Sequence, residues 1–171
     1  MALIVEDGTG LATAESYISV VDTDTYFAVR GNPTGWTGLA TPDKEQHLRK
    51  ATEYLDTRFL RVWKGVKIDS DMALDWPRRL VRDASGFLLV TDALPVKLER
   101  ATAEAALRSA TTGLDPDVAT PGSIESKRSK VGELETETHY LGGAAQTSSF
   151  PQVDQLVAEL IVGSNIVRVG N

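Results

Sequence analysis

The sequence contains no cysteine and only two histidines. Without thiols it has no disulfides, thiolate nucleophiles or thiolate metal ligands. His47 is expected within a helix and His139 within a hairpin, and neither lies in a metal-binding frame such as HExxH. The serines lack a GxSxG frame, and DGTG at 7–10 lacks the strand and helix of a phosphate-binding loop. We therefore predict no catalytic residues, no cofactor and no enzyme activity.

Closely spaced carboxylates do not complete a metal site either. Asp69, Asp71 and Asp75 resemble half of a calcium-binding loop. Leu74 stands where such a loop needs glycine, and Leu80 stands where it needs the closing glutamate. We predict no metal.

Basic residues are fewer than acidic ones, with 18 Lys and Arg against 24 Asp and Glu, a formal charge of −6. This balance argues against a dedicated nucleic-acid-binding protein, because phosphate contacts need an excess of cations. The local exception is a basic stretch around two tryptophans: Lys64, Lys67, Arg78, Arg79 and Arg82.

Aromatic residues are scarce. Three of them are tryptophans, whose function has two interpretations. Trp36, Trp63 and Trp76 are either stacking platforms for bases or anchors of the core and loops. The sequence favours core anchors.

Long apolar runs are absent, and no stretch approaches the roughly 20 apolar residues of a membrane span. The first residues have no basic start, so we expect no signal peptide. These features predict a soluble protein made in a reducing cytoplasm.

Hydrophobic periodicity predicts a mainly α protein: a bundle of about four helices with an inserted β-hairpin and extended terminal segments. The strongest signal is one apolar helical face formed by Leu48, Ala51, Leu55, Phe59 and Val62, with Thr41 as its cap. An alanine-rich helix follows further on, where small side chains allow close approach of another backbone. The predicted helices cover about 22–30, 42–62, 95–112 and 151–162, within a single domain of 1–171.

The predicted hairpin, at about 124–140, brings basic and acidic residues together. A turn at Val131–Gly132 places Lys130 opposite Glu133 and Arg128 opposite Glu135. Glu135 and Glu137 share a face with Glu133, because strand side chains alternate.

The order of motifs along the chain resembles a family of tailed-phage and prophage proteins. The resemblance covers nearly the full length and starts with MALIVEDGTGLATAESYISVVDTDTYFAVRG. It continues through ATEYLD, LDWPR, the alanine-rich helix, KVGELE and FPQVDQLVAEL. Members often carry the label of DnaT-like single-stranded-DNA-binding proteins, yet their place in phage particles resembles that of head–tail connectors or adaptors.

The connector resemblance implies a structural ring, of twelve copies, in the neck of the virion. Its expected partners are the portal protein, a tail or stopper protein and other copies of itself. DNA passes through without sequence-specific binding, and no membrane is involved. The alternative, taken from the label, is a single-stranded-DNA-binding protein of phage replication.

Two groups of residues are the candidate sites under the connector hypothesis. The hairpin residues are expected to line the channel or to contact a neighbouring subunit, and the alternative for the three glutamates is a strand face that only water contacts. The tail after Gly163 is expected to dock on the portal. The hairpin group is Glu133, Glu135, Glu137, Arg128 and Lys130. The docking group, within the tail 164–171, is Ile166, Val167, Arg168 and Val169.

Overall fold

The computed structural model describes residues 2–114, 126–131, 134–139 and 150–163. It is mainly α with a β-hairpin, as predicted. Its contacts divide the chain into two compact units, Met1–Leu114 with Phe150–Asn171, and Asp115–Ser149. The helices of the first unit are α1 Val20–Ala28, α2 Thr34–Thr37, α3 Thr41–Phe59, α4 Val96–Thr111 and α5 Pro151–Val157. Its two short strands are β1 Val66–Lys67 and β2 Arg78–Arg79.

Helix α4 is the centre of the first unit, since it contacts α1, α2, α3 and α5. Its alanines explain this position, because a residue without a long side chain lets neighbouring helices approach closely. Ala101, Ala103, Ala105 and Ala106 have no exposed surface. The expectation of close packing around the alanine-rich helix is confirmed.

Helix α3 buries the predicted apolar face as far as Phe59 and ends there. The predicted continuation to residue 62 is wrong, because the chain leaves the helix to pair with the segment after α5. Trp63 forms an antiparallel bridge with Ile161, and Val162 N donates to Val62 O at 2.6 Å. The same pairing ends α5 at Val157 instead of 162.

Two helix starts also differ from the prediction. Ser19 caps α1, since its side chain accepts from the Asp22 N–H, so the helix runs from Val20 to Ala28 instead of 22–30. Ala40, not Thr41, occupies the cap position of α3 and makes no side-chain cap bond. The single turn α2 was not predicted, because its four residues are too few for a periodic signal.

The strands β1 and β2 were also missed by sequence reasoning, and they pair antiparallel with Val66 opposite Arg79. Gly65 permits the close approach just before β1. Its φ is +68°, and a Cβ there would lie 2.2 Å from the Arg79 carbonyl oxygen. Strands of two residues are too short for a periodic pattern to predict them.

The second unit contains the hairpin of β3 Ser126–Val131 and β4 Leu134–His139. Its register corrects the predicted one. Lys130 pairs with Glu135 and Arg128 with Glu137, because Val131 pairs with Leu134 and two residues connect the strands. The shift by two positions keeps basic residues opposite acidic ones, and Glu133 lies outside the described residues.

Candidate nucleic-acid interface

The basic stretch of the sequence divides into bracing and exposed residues. Arg78 is a brace: its Nε donates to Lys64 O at 2.8 Å, Nη2 to Gly65 O at 2.9 Å and Nη1 to Asp75 O at 3.2 Å. Burial lowers the pKa of its guanidinium, against the opposing effect of Asp75. Arg78 therefore joins the chain before β1 to β2. Because all three of its guanidinium nitrogens donate to carbonyl oxygens, few N–H groups remain for a ligand.

Lys64 and Lys67 are also engaged with the protein. Lys64 Nζ donates to Glu159 O at 2.7 Å, just after the end of α5. Lys67 Nζ donates to Met72 O at 3.2 Å and lies 3.8 Å from a carboxylate oxygen of Asp75. Because both amines bind backbone carbonyls, they are less available to bind a phosphate group.

Arg79 and Arg82 are the exposed members of the stretch. Among residues 2–114 and 150–163, no ion pair engages either guanidinium. Arg82 Nη1 donates to Gly86 O at 2.7 Å, which leaves its other N–H groups without a partner in this part of the chain. These two cations can therefore contact an anion.

Residues 81–89 form a tight turn that continues from β2. Leu89 N donates to Val81 O at 2.9 Å, and Arg82 bridges antiparallel to Leu88. The Asp83 carboxylate accepts from Ser85 N at 2.8 Å and from Phe87 N at 2.9 Å. The turn is thus organised by its own hydrogen bonds, and Val81, which is fully buried, anchors it.

Large apolar side chains stand exposed beside these arginines. Phe87 and Leu80 are each 72% exposed, and Leu88 is 55% exposed. Leu80 also has a φ of +64°, a left-handed conformation that is uncommon for a residue with a branched side chain. We define the basic–aromatic patch as Arg79, Leu80, Arg82, Phe87 and Leu88.

A buried carboxylate fixes the segment that leads into the patch. The Tyr17 hydroxyl donates to Asp56 and accepts from Asp75 N at 3.1 Å and Trp76 N at 3.3 Å. The second oxygen of Asp56 accepts from Asp75 N at 3.1 Å. Burial raises the pKa of Asp56 to about 6, and burial together with the Asp56 charge raises that of Tyr17 well above its usual value. Arg78 and Arg79 follow this anchor directly.

The tryptophans are core residues, and the stacking interpretation is wrong for them. Trp36, Trp63 and Trp76 are 0%, 5% and 1% exposed, so no base can reach a ring face. Among the described residues, the aromatic side chain that is exposed is Phe87, which the sequence analysis did not single out. The Gly86–Phe87 pair next to a basic segment was the available signal.

The remaining predicted residues do not join the patch. His47 accepts or donates a hydrogen bond with Ser109 at 2.9 Å, which links α3 to α4. DGTG wraps around a buried carboxylate: Glu6 accepts from Gly8, Gly10 and Leu11 N–H groups at 3.0, 2.8 and 2.8 Å. Nowhere in the described part of the chain do three or more acidic or histidine side chains gather so as to hold a metal ion.

The predicted portal-docking residues Ile166, Val167, Arg168 and Val169 lie outside the described residues. Of the hairpin group, Arg128, Lys130, Glu135 and Glu137 are placed by register alone. Within the described residues, no helix has the length and apolar character to cross a membrane.

A family model described as "Putative DnaT-like ssDNA binding protein" matches residues 1–169. No curated protein matches, and no solved structure matches.

This match confirms the resemblance to the family that carries the DnaT-like label and corrects its interpretation. The predicted head–tail connector function is wrong, because the description of the matching family favours the alternative of single-strand binding. The same family description overturns the expected virion ring of twelve copies and the expected binding to the portal. The tail or stopper partner, the location in the particle and the absence of enzyme activity stay untested predictions.

Proposed function

The chain belongs to this family of DnaT-like single-stranded-DNA-binding proteins, and from this premise we propose that it binds single-stranded DNA at the basic–aromatic patch. The observation that carries the proposal is the pair of exposed arginines, Arg79 and Arg82, in the same short segment of the chain as exposed Phe87. Single-strand binding combines cations for the phosphates with aromatic or apolar surface for the bases, and the patch offers both.

The net charge of −6 is compatible with a weak, local interaction. At about 0.1 M salt the Debye length is about 10 Å, so carboxylates farther from the patch act on a bound phosphate only weakly. The carboxylate of Asp83, the acidic residue inside the turn, already accepts two backbone N–H groups. This carboxylate keeps its charge, but the two arginines outnumber it, so the patch has a net positive charge.

The test is a titration of a fluorescent oligothymidylate of about twelve nucleotides, within the range of single-strand sites. Two phosphate contacts predict a slope of about −1.4 for the logarithm of affinity against the logarithm of salt concentration. The double variant Arg79→Gln with Arg82→Gln is expected to lose most of the affinity and to bring the slope close to zero.

A matched control removes two charges elsewhere. Lys50→Gln with Arg100→Gln changes the net charge equally, and both residues are exposed on helices α3 and α4. We expect this control to bind almost as well as the natural sequence. An equal loss in both double variants would mean that binding follows net charge and not the patch, and no binding at any salt concentration would refute the proposed function.

A further inference from the structure

The turn at residues 81–89 carries an exposed aromatic side chain, and packing within the protein does not explain why it is exposed. Phe87 is 72% exposed, although a ring of this size is ordinarily buried in part. The backbone that carries it is held on both sides: Phe87 N donates to the Asp83 carboxylate, and Phe87 O accepts from Asp83 N, each at 2.9 Å. The backbone position from which the ring projects is therefore set before any ligand arrives.

An exposed ring on a hydrogen-bonded backbone suits a ligand that is itself flat. Preorganisation lowers the entropy that binding must overcome, and the face of an aromatic ring stacks on any base. The Arg82 guanidinium is held at Gly86, one residue from the ring, by the 2.7 Å bond to its carbonyl oxygen. A cation beside a stacking face matches a nucleotide, which joins a base to a phosphate.

An acidic peptide is the competing occupant, and the patch fits it less well. A peptide segment would gain most from a sheet edge or an apolar groove. Here Asp83 N donates to Phe87 O, Asp83 O accepts from Gly86 N, and Phe87 N donates to the Asp83 carboxylate. At these residues the turn therefore offers a side-chain face instead of free backbone partners.

We infer that Phe87 stacks on one unpaired base while Arg82 contacts the adjoining phosphate, so that the site recognises the presence of an exposed base without reading its identity. This inference rests on the proposed function. It adds a requirement that charge alone does not impose, because the bases of a duplex are stacked on each other and present no free face to the ring.

The experiment compares the affinity of the full chain for three fluorescent probes at about 0.1 M salt. They are an oligothymidylate, an abasic oligomer of equal length and phosphate number, and a duplex. We expect the abasic oligomer to bind about tenfold more weakly than the oligothymidylate, because stacking on one base is worth about 1–3 kcal/mol. The duplex is expected to bind more weakly than the single strand despite its higher charge density.

Variants of residue 87 separate stacking from simple apolar contact. Phe87→Ala and Phe87→Leu are expected to lose about tenfold in affinity for the oligothymidylate and none for the abasic oligomer, whereas Phe87→Trp retains both. Val90→Ala is the control, since Val90 is 65% exposed and lies outside the patch. Circular dichroism confirms that each variant is folded.

The outcomes distinguish the two proposals. Equal binding of the abasic and base-containing oligomers would overturn the stacking inference and leave binding through the two arginines intact. Tighter binding of the duplex than of the single strand would overturn it as well. Failure of the natural sequence to bind any of the probes would overturn the proposed function itself.

Discussion

Arg78 Nε donates to the Lys64 carbonyl oxygen at 2.8 Å, while the guanidinium of the next residue, Arg79, points to solvent with no ion pair in the described part of the chain. Two adjacent arginines thus have different functions. One holds the chain before β1 against β2, and the other is available to a ligand.

The different hydrogen bonding of Arg78 and Arg79 predicts different effects when each is replaced by glutamine. Arg78→Gln should lower the free energy of unfolding by about 2 kcal/mol, since three charge-assisted bonds to carbonyls are lost. Arg79→Gln should leave that free energy within about 0.5 kcal/mol and weaken binding of single strands. Urea denaturation followed by circular dichroism measures the first effect, and the oligothymidylate titration measures the second. Equal stability of the two variants would contradict the bracing role of Arg78.

Leu80 offers a variant that removes apolar surface from the patch without weakening the fold. Its φ of +64° costs a leucine about 1 kcal/mol, and glycine adopts this conformation freely. Because the leucine side chain is 72% exposed, little packing is lost. We expect Leu80→Gly to keep or slightly raise the midpoint of thermal unfolding.

Affinity for single strands should fall in the same Leu80→Gly variant if its side chain contributes contact surface. Leu80→Ala keeps the strained backbone conformation and serves as the comparison. A Leu80→Gly protein less stable than Leu80→Ala would show that the left-handed conformation carries no cost at this position.

The Asp56 carboxylate predicts a component of stability that decreases as pH rises. Its pKa in the folded protein is about 6, above the ordinary value of 3.8, mainly because of burial. A proton thus binds more tightly to the folded state, and its stabilising effect is complete below about pH 4 and lost as pH rises through about 6. The shift corresponds to a change on the order of 3 kcal/mol.

The measurement is the free energy of unfolding from pH 4 to 8 for the natural sequence and for Asp56→Asn. The stability of the natural sequence relative to the variant should decline across this range. Asp92→Asn, at an exposed carboxylate, controls for the loss of one formal charge. A relative stability that is constant with pH would exclude a raised pKa at Asp56.

Glu6 should contribute more to stability than its place near the chain start suggests. It is 3% exposed and accepts three backbone N–H groups, two from the DGTG loop and one from Leu11. In Glu6→Gln an amide N–H group replaces one acceptor and faces a backbone donor, so we expect a loss of about 2 kcal/mol in urea denaturation. Asp7→Asn, at the neighbouring exposed carboxylate, is the control. A smaller loss of stability in Glu6→Gln than in Asp7→Asn would refute this role of Glu6.

How far the sequence predicts this fold depends on the length of each element. Helices α3 and α4 were predictable, because periodicity over four or more turns outweighs local ambiguity. Their ends were not, since α3 ends where Trp63 meets Ile161, a residue about a hundred positions away. The strands β1 and β2 and the helix α2 are too short to produce any pattern.

The candidate site was predictable only as a basic stretch. Composition located the five cations around Trp63 and Trp76, and the absence of cysteine excluded thiol chemistry outright. Which cations are exposed, and which aromatic residue reaches the surface, depends on the hydrogen bonds of Arg78 and on the turn organised by Asp83.

The sequence by itself determined the helical class, the alanine-rich helix and the family to which the chain belongs. These follow from composition and from patterns repeated over many residues. Only the tertiary structure decided that the tryptophans are buried, that Phe87 is exposed and that Arg78 and Arg79 differ. Burial and hydrogen-bond partners depend on contacts between residues far apart in the chain, and no local pattern of residues encodes them.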